Sequence, residues 1–157
     1  GVVNLILTGT DNINGTGNSQ DNVITGNSGN NILDGRGGRD VITGNGGADT
    51  FLFSLKPTKF TSDRASHITD FNSGEGDHID IVKSVFGITA STTTLTTVTN
   101  TTDLNKALGS SALFVYNQSS GELYWNQNGS AAGAGSGGIL AVLDNKVSLV
   151  ASDIRLV

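Results

Sequence analysis

From Gly17 to Leu52 a nine-residue unit repeats four times without a gap, as GNSQDNVIT, GNSGNNILD, GRGGRDVIT and GNGGADTFL. Glycine opens each unit, the sixth position holds Asn22, Asn31, Asp40 and Asp49, and the eighth holds Ile24, Leu33, Ile42 and Phe51. A polar loop of about six residues followed by an apolar strand of about three leaves no room for a useful helix. A fixed period of this kind marks a stacked repeat, in which each unit buries its apolar position only against its neighbours.

The period suits a parallel β-roll in which two units complete one turn of the coil. Units separated by one intervening unit then stack, the Gly17 loop over the Gly35 loop and the Gly26 loop over the Gly44 loop. That stacking predicts two meetings, Asn22 with Asp40 and Asn31 with Asp49. Glycine permits positive φ and close backbone approach, so several carbonyl oxygens can face one gap. Carboxylate plus carbonyl oxygen at such density suits Ca²⁺, which takes about six to eight oxygens, better than Mg²⁺ with its tight octahedral demand.

These units resemble the G-G-x-G-x-D-x-U-x nonapeptide of RTX (repeats-in-toxin, haemolysin-type) proteins, a calcium-binding β-roll. In that family the lower loop of a pair gives its second and fourth carbonyls, the upper loop its first and third, and each its sixth side chain. The resemblance implies Asn27, Gly29, Asn31, Gly44, Gly46 and Asp49 around one ion, and Asn18, Gln20, Asn22, Gly35, Gly37 and Asp40 around another. Gly38 and Gly47 belong to the same candidate metal loops. Several Ca²⁺ ions are expected. In the first two units Asn replaces Asp at position six, and Gln20 replaces the fourth-position glycine in the first. Each site loses one formal charge, so weak binding is expected, in the range of about 10⁻⁴ to 10⁻³ M.

The chain of 157 residues has 22 glycines, one proline, 36% apolar residues and a net charge of −5. This is poor material for a helical bundle. The acidic balance argues against nucleic acid or an anionic membrane surface as partner and favours a cation. No cysteine occurs, which excludes disulfides and thiolate metal sites. No apolar run approaches the roughly 18 residues of a membrane span, so no membrane insertion is expected. The chain opens directly into repeat-like sequence and lacks the basic region of a signal peptide; Gly1 reads as a cut through a larger protein.

Val3 to Thr16 carries a degenerate repeat, with a strand candidate at Leu5 to Leu7, and reads as an opening coil. The seventh-position residues Val23, Ile32 and Val41 are apolar. They should point outward, and an exposed β-branched strip predicts a cover supplied by the rest of the chain. Phe51 and Phe53 should close the roll, and Lys56 to Ser66 reads as a surface loop.

Ser66 to Ile81 (SHITDFNSGEGDHIDI) places Asp70, Glu75, Asp77 and Asp80 around a Gly-x-Gly turn between two strands. The succession resembles the junction after the repeats in serralysin-type C-terminal domains, haemolysin-type exported proteins and alginate epimerase repeat modules. There such acids complete a calcium site against the last coil, which implies Asp77 and Asp80, and less closely Asp70, as further ligands; Ser66 stands where an acid is often found. Without ligation the stretch would be a solvated acidic hairpin. His67 and His78 are the only histidines and no His-Glu-x-x-His occurs, so neither a zinc site nor a metalloprotease centre is expected.

In the second half, the threonine-dense Thr89 to Thr102 suits an edge strand or a loop. Asp103 to Gly109 reads as a short helix with an Asp cap and a Gly stop. Ala112 to Tyr116, Glu122 to Trp125 and Gly138 to Leu143 are strand candidates, the first two joined as a hairpin. Asn126 to Ser130 resembles a calcium loop whose acids have become Asn, and Ala131 to Gly138 should be a flexible loop. Val147 to Val157 resembles the ending of exported RTX proteins, where a type I secretion apparatus reads an uncleaved C-terminal signal; a final core strand is the alternative.

The expected fold is all-β, a parallel β-roll over residues 1–53 capped by an antiparallel β-sandwich-like segment over 54–157 that carries the possible secretion signal. The expected function is that of a non-catalytic calcium-binding module, monomeric as a fragment, at the C-terminal end of a large secreted or surface bacterial protein such as an adhesin. Its partners would be calcium ions and the type I secretion apparatus. The alternative is an accessory carbohydrate-binding module resembling those of alginate epimerases, which would need a basic groove. No spacing of nucleophile, base and orienting group suggests an enzyme.

Overall fold

Each nonapeptide folds as a tight polar turn followed by one short strand, and successive strands fall alternately into two sheets. The computed structural model describes residues 3–57, 61–127 and 137–157. The opening coil gives β1 (Asn4–Ile6) and β2 (Gly15–Thr16); the repeats give β3 (Val23–Thr25), β4 (Ile32–Asp34), β5 (Val41–Thr43) and β6 (Thr50–Phe53). β3 pairs β5 in parallel with Val23 opposite Val41, and β4 pairs β6 with Leu33 opposite Phe51. Paired residues are thus two nonapeptides apart, as the roll requires. Eighth-position side chains form the ladder between the sheets, with Ile24, Leu33, Ile42 and Phe51 all buried. Full burial of each stabilises by roughly 1.5–3 kcal/mol.

The roll does not stop at Phe53. β7 (Ser66–Ile68) pairs β5 in parallel and β8 (His78–Ile81) pairs β6 in parallel, so the acidic stretch is a further coil and not a hairpin. Its inward residues Ile68, Ile79 and Ile81 continue the same apolar ladder, and Phe71 packs on Phe51 with ring centroids 6.0 Å apart. The expected boundary at residue 53 therefore meets no break in either sheet.

A short helix α1 (Lys83–Phe86) leads to the edge strand β9 (Leu95–Val98), the form that the threonine-rich run takes. Helix α2 (Thr101–Leu108) starts earlier than expected because Asn100, not Asp103, is its cap: the Asn100 side chain accepts the Asp103 N–H at 2.8 Å. β10 (Phe114–Asn117) and β11 (Glu122–Trp125) form the expected hairpin, and β12 (Gly138–Leu143) follows antiparallel to β11. β12 then pairs β7 in parallel. The C-terminal strands thereby extend the roll's own sheet, in the order β1-β3-β5-β7-β12-β11-β10-β9. The final strand β13 (Ile154–Leu156) closes the other, β13-β8-β6-β4-β2. One apolar core runs from Ile24 through Phe51 and Ile79 to Phe114, Trp125 and Ile154.

One expectation is corrected. The outward seventh positions are not covered as a strip: Val23 remains 44% exposed and Ile32 42%, and only Val41 is half-buried. The reason is topological, since the second half adds strands to the sheet edges and not a layer over their outer faces. Most of Asn126–Ser130 and Ala131–Gly138 lies outside the described residues, although Gly138 opens β12.

Candidate metal-binding loops

The loops stack as the period predicts, and a backbone-to-side-chain bond ties each tier to the next at position six. The Asn22 N–H donates to Asp40 Oδ1 at 2.9 Å, and the Asn31 N–H donates to Asp49 Oδ1 at 2.8 Å. Each column has a third tier outside the nonapeptides. The Asp40 N–H donates to Ser66 Oγ at 3.1 Å, whereas the Asp49 N–H donates to Asp77 Oδ1 at 2.8 Å. One column therefore ends in a hydroxyl and the other in a carboxylate, whose second oxygen accepts the Asn72 N–H at 2.9 Å.

Close backbone approach brings oxygens together at the first glycine of each lower loop. A methyl group on Gly17 would collide with Asn22 Oδ1 and with the Gly35 carbonyl, which would stand 2.7 Å away; one on Gly26 would collide with Asn31 Oδ1 and the Gly44 carbonyl. Gly38 and Gly47, at φ 104° and 102°, lie against the Gln20 and Gly29 carbonyls of the loops they stack on. Of the expected ligand positions, Gly35 and Gly44 thus bring their carbonyls to a position-six oxygen, and Gln20 and Gly29 bring theirs to the stacked loop. A methyl group at Gly46 would meet open space and one at Gly37 only Ser19, while the Gly37 N–H donates to the Asn18 carbonyl of the loop beneath at 3.1 Å.

The position-six side chains are not equivalent. Asn31 is internally satisfied: its Oδ1 accepts the Asn27 N–H at 2.9 Å, and its Nδ2 donates to Asn27 Oδ1 at 2.9 Å and to the Ile13 carbonyl at 2.8 Å. Asn22 repeats the pattern, with Oδ1 accepting the Asn18 N–H at 2.9 Å. Asp49 is fully buried, and its Oδ2 is a buried oxygen with no hydrogen-bond partner. That orphan oxygen faces Gly44, where an added Cβ would strike it.

Burial raises three of these carboxylates. Loss of solvent pushes Asp40 from 3.8 to about 6 against the opposing bond from the Asn22 N–H. Asp49 also rises to about 6, through burial and then the nearby Asp77, Asp70 and Glu75 charges. Asp77 is raised by burial, with Asp70 and Glu75 adding to it.

Asp70 is brought to the loops by a different route, accepting the Gly44 N–H and the Asn45 N–H, both at 2.8 Å. Asp80 is not brought there. It alternates with the inward Ile79 and Ile81, so it points out of the sheet, where Arg155 holds it through Nε at 2.6 Å and Nη2 at 3.0 Å. Sequence reasoning missed Arg155, Asn72 and the position-five bond of Asn30 Oδ1 to the Ala48 N–H at 2.9 Å. A basic residue on a last strand was the one signal for the Arg155 pair.

Among the described residues no three of His, Cys, Asp and Glu converge on one metal position. The donor set is instead one carboxylate per stacked pair of nonapeptides, Asp40 or Asp49, with amide and backbone oxygens, which fits a hard, oxygen-seeking cation and not zinc.

The family model of the RTX calcium-binding nonapeptide repeat matches residues 16–51, in four copies. No curated protein sequence matches the chain. Among solved structures, the chain is similar to the solution structure of the AlgE6R3 subunit from the Azotobacter vinelandii mannuronan C5-epimerase, at 23% identity and a TM-score of 0.46. That match covers 99% of this chain and 84% of the other.

Proposed function

Residues 16–51 are RTX calcium-binding nonapeptide repeats forming a β-roll that takes several Ca²⁺ ions, and from this premise we propose that the chain is a non-catalytic module whose folding is completed by calcium outside the cell. The observation that carries this reading is the Asp49 carboxylate, fully buried between stacked loops with Oδ2 unpartnered. Ca²⁺ bound at the Gly26/Gly44 tier would supply the missing positive charge, with Asp49 as its carboxylate and the Gly29 and Gly44 carbonyls and Asn31 amide oxygen beside it. Asn27, Gly46 and Gly47 complete the proposed loop pair, while Asp77 and Asp70 add negative charge from the neighbouring coil. The Gly17/Gly35 tier, with Asn18, Asn22, Gly35, Gly37, Gly38 and Asp40, would bind a second ion more weakly.

In low calcium the raised carboxylates oppose closure of the loops, and the ion converts that penalty into a cross-link between coils. Such a module can cross a secretion apparatus unfolded and fold where calcium is abundant. This suits a place at the C-terminal end of a large secreted or surface bacterial protein exported by a type I apparatus, with Val147–Val157 contributing the export signal. Among the described residues no helix is long and apolar enough to cross a membrane.

A calcium titration followed by circular dichroism and isothermal calorimetry tests the proposal. The expected result is a cooperative gain of β-structure with saturable heat of binding. Full β-structure in chelator with no response to added calcium would refute it.

A further inference from the structure

The winding of the chain gives the roll two edges of opposite charge. Its strands fall alternately into two sheets and pair in parallel, so successive loops fall alternately on two edges. One edge collects residues 17–22, 35–40, 54–57 and 61–65, and the other collects 26–31, 44–49 and 69–77. The second set contains Asp49, Asp70, Glu75 and Asp77 and no Lys or Arg. The first contains Arg36, Arg39, Lys56 and Arg64, four of the nine Lys and Arg of a chain with net charge −5. The Gly44 loop keeps the backbone of the Gly35 loop with Asn45 and Ala48 in place of the two exposed arginines, Arg36 and Asn45 standing at φ 65° and 67°. Positive charge on a cation-binding loop opposes its ion, so the arginines call for a role other than calcium.

The four cations border one groove of about 430 Å³, in which Phe53, Leu55 and Pro57 supply apolar surface. Opposing charge is sparse there. Asp21 lines the same groove, but its Oδ1 accepts the Arg39 N–H at 2.9 Å, and Asp63 lies 3.9 Å from Arg64 at an exposed position. Among the described residues no ion pair engages the Arg36 or Arg39 guanidinium. On the opposite edge the loop after Phe71 ends in a narrow tip, with Asn72, Ser73, Gly74 and Glu75 exposed. The tip is closed on itself: the Glu75 N–H donates to the Asn72 carbonyl and the Gly76 N–H to the Ser73 carbonyl, both at 3.1 Å, while Asn72 Oδ1 accepts the Gly74 N–H at 3.0 Å. Asp49, Asp70 and Asp77 each spend carboxylate oxygen on backbone N–H groups, whereas the Glu75 carboxylate has no hydrogen bond among the described residues.

We propose that the Glu75 tip of one copy seats in the basic groove of the next, with its carboxylate held by Arg36 and Arg39, so that rolls associate side by side. Guanidinium forks match a carboxylate in a bidentate manner. A tip already fixed by its own hydrogen bonds loses little freedom on docking, and its small side chains let it enter the groove. Tip and groove stand on opposite edges of one chain, so no copy can satisfy itself. The contact is therefore heterologous, each copy giving one tip and accepting one, and it continues as an open row. The tip lies only one coil beyond the Gly35 loop, which keeps neighbours nearly level. Single-stranded nucleic acid fits the groove less well, given one aromatic ring and a net negative chain. Copies held on one surface, at effective concentrations on the order of millimolar, would engage through even a weak contact; that setting rests on the proposed surface location, but the contact itself does not.

The test is sedimentation velocity of the full chain in saturating calcium, at concentrations up to about 1 mM, the weak end of specific association. Two variants break opposite halves of the contact. Glu75→Lys reverses the tip, and the loop swap Arg36→Asn with Arg39→Ala copies the Gly44 loop and so preserves its backbone. Expected are concentration-dependent growth of the parent that weakens in raised salt, and at least about a tenfold loss of self-association in either variant, the scale of losing charged hydrogen bonds. The tip variant keeps its groove and the swap keeps its tip. An equimolar mixture should therefore form pairs that stop at two, at concentrations where neither variant associates alone. A parent that stays monomeric throughout, self-association unchanged in either variant, or a mixture that behaves as the sum of its parts would overturn the proposal. Glu75→Gln replaces the lysine variant if that chain does not fold. Full β-structure of the parent in chelator with no response to calcium would instead overturn the calcium reading, and the mixture of folded variants would still decide the contact.

Discussion

Asp49 and Asp77, neighbours in the same column of loops, are joined by the Asp49 N–H donating to Asp77 Oδ1 at 2.8 Å, which places two raised carboxyl groups in successive coils. The bond extends the nonapeptide pattern into a loop that is not a nonapeptide. Asp77 also accepts the Asn72 N–H from within its own loop, so one carboxylate oxygen ties this loop to the roll and the other closes the loop on itself. Negative charge therefore concentrates at this end of the array, whereas the uncharged Asn22 and Asn31 amides each accept an N–H from within their own loop and donate to the coil before it.

This gradient predicts opposite effects of one substitution in two conditions. Asp49→Asn should stabilise the metal-free chain, since an unpartnered buried carboxylate is replaced by the amide that positions 22 and 31 already accommodate. A gain on the order of 1–3 kcal/mol is expected in chelator, the usual cost of an unsatisfied buried group. The same variant should require much more calcium for its structural transition. Asn22→Ala should affect only the first coil. Thermal melts in chelator and in calcium would decide both, and a variant less stable in chelator would contradict the account.

The pH dependence should also reverse with calcium. Asp40 and Asp49 hold their protons more tightly folded than unfolded, with folded values of about 6 against 3.8. Such groups favour the folded state as pH falls through 6 toward 3.8, and withdraw that stability as pH rises. The metal-free chain should therefore melt several degrees higher at about pH 5 than at about pH 7.5. Calcium needs the ionised carboxylates, so its affinity should fall as pH drops below about 6. A metal-free melting temperature that rises with pH over this interval would exclude the proposed burial of these groups.

The repeat made the first coils legible because a nine-residue period fixes both the inward residue and the stacking partner: Ile24 over Ile42 and Leu33 beside Phe51 follow from counting. The continuation through β7 and β8 was harder to read, since insertions stretch the offset to Ile42 opposite Ile68 and Phe51 opposite Ile79. The gathering of Arg36, Arg39, Lys56 and Arg64 around one groove was not legible, since they look scattered in sequence and only the return of the chain after Phe53 past the Gly35 loop collects them. Asp80 was misleading for a simpler reason: in a strand successive side chains leave by opposite faces, and Asp80 stands between the inward Ile79 and Ile81.

Arg155 and Asp80 bolt β13 onto β8, with Arg155 Nη2 also 3.2 Å from Thr50 Oγ1. Because Arg155 is about half exposed while Asp80 is largely covered, Arg155→Ala should cost about 1–2 kcal/mol in the calcium-bound chain, mostly from the carboxylate left without its partner. The number of ions bound, measured by calorimetry, should not change, either in this variant or in Asp80→Asn. Loss of one ion in Asp80→Asn would return Asp80 to the metal site.

Adjacent glycines in the Gly44 loop should respond differently to the same methyl group. Gly46 has open space around an added Cβ, so Gly46→Ala should change stability by no more than about 0.5 kcal/mol. Gly47 sits at φ 102°, and a Cβ there would come within 2.7 Å of the Gly29 carbonyl on the loop beneath. Gly47→Ala must therefore adopt a left-handed backbone with a side chain and also push apart the two loops, at a cost of about 1–3 kcal/mol for the strain. The separation moves the Gly29 carbonyl away from the oxygens around Asp49, so calcium should bind more weakly as well. Paired calcium titrations and denaturant melts of the two variants check this, and equal behaviour of Gly46→Ala and Gly47→Ala would mean that the loops do not stack at this distance.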